Sequence, residues 1–117
     1  MANYSSDEIW SYLRDKYCAD YLVVDAKNSG KPIRKADVLQ IGHYLKWAGA
    51  GLFGVIISRK GIGKSASFSQ RELWIQDKKM IVVLDDSDVE QMLLERKSGN
   101  DPAKVLLKKI EDFRLSI

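Results

Sequence analysis

Helical and strand-like patterns alternate along the 117 residues of this chain, which predicts an α/β fold. Three observations carry the prediction. Short apolar runs recur at "YLVVDAKN" (21–28), "GLFGVIIS" (51–58) and "MIVVLDD" (80–86), as expected of strands covered on both faces. Segments with helical periodicity separate them, and connections of that length join strands as parallel neighbours. The length suits one domain, here residues 1–117, with a core that needs no disulfide or structural metal. The expected architecture is a thin, largely parallel sheet of about three strands with helices on both faces.

Taken in order, "SSDEIWSYLRDKYCA" opens with Ser5 and Glu8 in capping-box spacing and repeats Ile9, Leu13 and Tyr17 at helical intervals. "YLVVDAKN" is the first strand, and "SGKP" is a turn. "KADVLQIGHYLKWA" is an amphipathic helix with Val38, Ile41 and Leu45 on one face, stopped by Gly49. A second strand leads to a short helix over "SFSQRELWIQD", with Ser69 and Glu72 as a capping box. The third strand is followed by a helix over "SDVEQMLLERK", capped by Ser87 and Glu90. The last helix, "DPAKVLLKKIEDF", has Asp101 as cap and Pro102 in its first turn. The order is α-β-α-β-α-β-α-α, and the two outer strands are edges that something should cover or pair with.

Composition excludes several classes of function. No stretch approaches the about 18 apolar residues of a membrane span, so no membrane partner is expected. The start "MANYSSDEIW" lacks a secretion pattern, and a cytoplasmic location is the simplest expectation. A lone Cys18 precludes internal disulfides and cysteine-based zinc sites. The single His43 precludes multi-histidine metal sites and is read as a surface or groove residue. Net charge is only +3, but Lys27, Lys31, Arg34, Lys35, Lys46, Arg59, Lys60 and Lys64 cluster against one acid, Asp37. If that segment folds around one edge, the edge is positive and suits phosphates; the plainer reading is a solvated basic surface.

Two motifs are weaker than they look. "GIGKS" (61–65) is half a phosphate loop, since the glycine required five residues before Gly63 is Ser58. The acids Asp85, Asp86 and Asp88 suggest a metal, yet acids at a helix start also suit its dipole.

The pair Asp25 and Lys27 is different. Two residues apart on a strand, they share a face, roughly 7 Å from one another. The following helix carries Gln40 and Tyr44 one turn apart on one face. A strand ending in D-x-K followed by a helix with Q-x-x-x-Y resembles the PD-(D/E)xK nuclease superfamily, the restriction-endonuclease-like fold. The resemblance covers about residues 20 to 60, and "FGVIISRK" suits the next strand of that core.

The resemblance implies a metal-dependent phosphodiesterase acting on nucleic acid, DNA before RNA. Asp25 would bind Mg²⁺ or Mn²⁺, and Lys27 would stabilise the attacking hydroxide or the charge on phosphate. Gln40 and Tyr44 would support that cleft, and Lys31, Arg34, Lys35 and Lys64 would meet the nucleic-acid backbone. Ala26 would face the opposite side, in the core. The family takes a second metal-binding acid from a strand preceding D-x-K, whereas here that strand follows the first helix almost directly. Asp20 is about 16 Å away and on the opposite face, which leaves Asp7, Glu8 or Asp15 of the first helix as other sources within the chain. A fragment, an acid from another subunit, and a non-catalytic relative all fit. The bare side of the strand predicts a homodimer, or the first helix packed over that edge. Another class of function keeps the fold without the reaction, as a nucleic-acid-binding or assembly module. A small-molecule phosphate binder using "GIGKS" is a third.

Overall fold

In the computed structural model, which describes residues 8–27 and 30–117, three parallel strands lie in the order β1 (Val23–Lys27), β2 (Phe53–Ser58), β3 (Met80–Leu84). The expected element order and parallel sheet are both present. Helix α2 (Lys35–Tyr44) crosses from β1 to β2 and α3 (Lys64–Asp77) from β2 to β3. Two right-handed crossovers advancing in the same direction place both helices on one face. Val38 and Ile41 of α2, Leu45 just past its end, and Ala66 of α3 accordingly bury against Ile56, Ile81 and Val83. Helices α1 (Glu8–Tyr17) and α5 (Ala103–Leu115) cover the other face, where Leu13, Tyr17, Leu106 and Ile110 pack on Phe53, Val55, Met80 and Val82. Helix α4 (Asp86–Lys97) buries no residue fully and meets this core only at its margin, through the partly buried Met92.

Alternation along β2 and β3 sends apolar side chains into each core, which is why these strands read as continuous apolar runs. Close approach depends on two glycines. At Gly54, a Cβ would stand 3.1 Å from Ile41 Cδ1, so its absence lets α2 settle on the sheet. Gly51 has φ +102°, and a Cβ there would overlap the Cys18 carbonyl oxygen.

Several boundaries differ from the sequence expectation. Helix α2 ends at Tyr44 rather than running to Gly49, and Lys46 bridges Gly51 in the turn that follows. Helix α3 begins at Lys64, so "GKS" opens it; Ser69 is buried in its interior and caps nothing. The cap of α4 is Asp85 with Asp88 at the third position, two residues before the expected Ser87 and Glu90. Asp101 accepts the Ala103 amide at 3.0 Å, next to a helix whose cap position is Pro102. Ser5 lies outside the described residues.

Strand β1 departs most. Among the described residues it pairs only with β2, and its residues alternate between half-buried and exposed. Val23, Asp25 and Lys27 turn toward α2, while Val24 is 50% exposed and Ala26 is exposed rather than in the core. The layer of α1 and α5 covers β2 and β3 and stops short of these two side chains.

Candidate functional site

Open α/β sheets place ligands outside the carboxyl ends of their parallel strands. In this chain Lys27 ends β1 and Ser58 ends β2 directly beside it in the register. Asp25, Lys27, Gln40 and Tyr44 line one cleft of about 240 Å³, together with Val23, Val24 and Ile41. The strand period supplies the first pair and the helix period the second. Gln40 is exposed and Tyr44 is 60% exposed, so both stand at the cleft's mouth.

Helix α2 is fixed at both ends. At its start the Asp37 carboxylate accepts the Arg34 amide at 3.0 Å, and the Asp37 amide donates to the Arg34 backbone carbonyl at 3.0 Å. At its end the Gly42 carbonyl accepts the Leu45 N–H at 3.3 Å and the Lys79 ammonium at 2.9 Å, and that ammonium complements the helix dipole.

The charges form a compact arrangement. The Lys27 ammonium lies 3.0 Å from Asp25 Oδ2 and 3.8 Å from Asp37 Oδ1. Asp37 is the residue that sequence reasoning passed over, treating it only as the lone acid in a basic segment. A usable signal existed, since Asp37, Gln40 and Tyr44 fall at i, i+3 and i+7 on one helix stripe. Ser58, beside Lys27, is 1% exposed with its hydroxyl unpaired among the described residues.

The basic residues gather nearby for a reason visible in the backbone. Ile33 and Ile62 form a parallel bridge in which Ile33 N–H donates to Gly61 O at 2.8 Å and Gly63 N–H to Ile33 O at 3.0 Å. The bridge joins the β1–α2 loop to the β2–α3 loop at the carboxyl edge of the sheet. Lys31, Arg34, Lys35 and Lys64 are all exposed there, with Lys60. Arg59 is partly neutralised by Asp86 at 3.2 Å, and Arg34 Nε stands 3.9 Å from Asp37. Among the described residues Lys31, Lys35, Lys60 and Lys64 make no ion pair.

The acids after β3 are spent on structure. Asp85 Oδ1 accepts the Ser87 hydroxyl at 2.7 Å and the Asp88 amide at 3.0 Å, while Asp88 Oδ2 accepts the Asp85 amide at 2.9 Å. The Ser87 hydroxyl bond, then the Asp88 amide, hold the Asp85 carboxyl below its ordinary range. Asp88 also pairs with Lys109 of α5 at 3.1 Å. Among the described residues no three His, Cys, Asp or Glu side chains converge so as to hold a metal ion.

Comparison with protein-family models, curated proteins and solved structures gives no match for this chain.

Proposed function

We propose that this chain is a nucleic-acid-binding domain of the restriction-endonuclease-like kind, with Asp25, Lys27, Gln40 and Tyr44 forming its working cleft. One observation carries the reading: four residues chosen by a D-x-K strand and a Q-x-x-x-Y helix line a single cleft beside a rim of unpaired lysines. The rim supplies what a phosphate backbone requires, mobile cations whose pairing releases counterions. Lys31, Arg34, Lys35 and Lys64 contact the backbone, and Tyr44 offers an aromatic face at the mouth of the cleft.

A metal centre made by the described residues alone does not fit. Mg²⁺ and Mn²⁺ call for oxygen ligands, and among the described residues Asp25 is the one carboxylate lining the cleft. Its partner is already the Lys27 ammonium, which stands between it and Asp37. Cleavage by the isolated chain is therefore slow or absent. Any activity is expected to need a carboxylate from a second subunit or a further segment. Among the described residues the outer edge of β1 has no strand partner, and placing a second copy there, beside Val24 and Ala26, makes a homodimer part of the proposal.

The test is digestion of single- and double-stranded DNA and RNA, with Mg²⁺, with Mn²⁺ and with chelator, alongside light scattering for the dimer. Binding with little cleavage supports the reading. Robust cleavage that survives chelation or Asp25→Asn contradicts it, as does a monomer with no affinity for any of the four substrates.

A further inference from the structure

The charge at the cleft's centre is held from two sides. Asp25 approaches Lys27 from the same strand, one pleat away, and Asp37 approaches from the first turn of α2. Asp37 does not line the cleft, and its side chain is more enclosed than either partner, 17% exposed against 34% for Asp25 and 28% for Lys27. Its two oxygens have separate tasks. Oδ2 accepts the Arg34 amide, which fixes the carboxylate at the helix start and leaves Oδ1 turned to the lysine. A carboxylate immobilised by a backbone hydrogen bond loses little further entropy in pairing, unlike two free surface side chains.

We infer that Asp37 is a positioning residue for Lys27, the second carboxylate of a clamp whose cation is the lysine ammonium itself. The clamp keeps Lys27 ordered and its charge neutralised, so an incoming phosphate must compete with two carboxylates for it. The structural claim concerns Lys27 alone; its consequence for phosphate rests on the nucleic-acid reading above.

The experiment follows the Lys27 ammonium by ¹H–¹⁵N NMR, assigned by its disappearance in Lys27→Met. In the wild-type chain its protons exchange with water more slowly than those of the exposed, unpaired Lys60 and Lys64. In Asp37→Asn the amide oxygen still caps Arg34, whose own amide protection reports an intact helix start. There Lys27 exchange speeds up by about two- to five-fold, the worth of an ion pair of this exposure. Asp37→Glu, which suits the third position of a capping box, restores slow exchange.

A second arm measures binding to duplex DNA. Asp37→Asn frees Lys27 for phosphate, raising affinity at low salt and steepening the salt dependence by about 0.9 in log–log slope, and Lys27→Met abolishes that gain. If Lys27 responds by NMR but the DNA gain is absent, the clamp stands and the nucleic-acid reading of this cleft fails. If Lys27 is unchanged in Asp37→Asn with Arg34 still protected, the clamp is wrong. Wild-type exchange as fast as that of Lys60 and Lys64 also overturns it, with no variant needed.

Discussion

Replacing Asp85 with alanine removes two hydrogen bonds at the start of α4, those from the Ser87 hydroxyl and the Asp88 amide. An N-cap of this kind is worth about 1 kcal/mol, within roughly 0.5–2 kcal/mol. The reciprocal bond from the Asp85 amide to Asp88 survives, because it uses backbone rather than side chain. Because α4 buries no residue fully, the loss falls on its own opening rather than on global unfolding. Hydrogen exchange of the α4 amides should accelerate by about five- to thirty-fold, what 1–2 kcal/mol represents, with β2 and β3 amides little affected. The sign with pH follows from the lowered Asp85 pKa. The folded state holds the carboxylate charged more strongly than the unfolded chain does, so its contribution is present above pH 3.8 and fades as pH falls through the folded value. Wild type and Asp85→Ala should converge in acid. A gap that persists at low pH, or α4 protection that rises on adding Mg²⁺, would refute the assignment of these acids to a helix cap.

Three further outcomes are expected. Gly51→Ala should destabilise the fold by about 3 kcal/mol or more in urea denaturation, because φ strain alone costs about 1–3 kcal/mol and the new Cβ meets the Cys18 carbonyl; a change under about 1 kcal/mol would show that the turn relaxes. Ser58→Ala should be neutral or stabilising in the same assay, since it removes a buried hydroxyl with no partner, and a large loss would mean that the hydroxyl has a bond. Burial raises the Tyr17 phenol pKa against the opposing pull of Arg114; the unfolded chain thus releases that proton first, and stability should decline as pH rises above 10. Tyr17→Phe should flatten that decline, and an unchanged alkaline limb would assign it to other groups.

The sheet was legible because strand content is written in runs such as "GVIIS" and "MIVVL", which no helix of this size would bury on all sides. The convergence of Asp25, Lys27, Gln40 and Tyr44 was legible for a similar reason, since period 2 and period 3.6 each fix a face. What escaped depends on tertiary context. Helix α3 starts in "GKSAS", a segment of weak helix propensity, because Ala66 is buried against the sheet and Gln70 donates to the Ile81 carbonyl at 2.6 Å. Ala26 was assigned to the core from alternation alone, but whether a strand's second face is covered depends on how far α1 and α5 reach. Asp37 was hidden by its double role, since a capping acid at a helix start explains itself without a lysine one strand away.

The most direct test of the central claim is a fluorescence-anisotropy titration of labelled duplex DNA across a salt series, comparing wild type with the quadruple variant Lys31→Ala, Arg34→Ala, Lys35→Ala, Lys64→Ala. The account predicts weak binding by wild type whose log–log salt slope reflects about two to four phosphate contacts, each contributing about −0.9. The quadruple variant should lose most of that affinity and most of the slope. No binding at low salt, or an affinity and slope that the four substitutions leave unchanged, would contradict it.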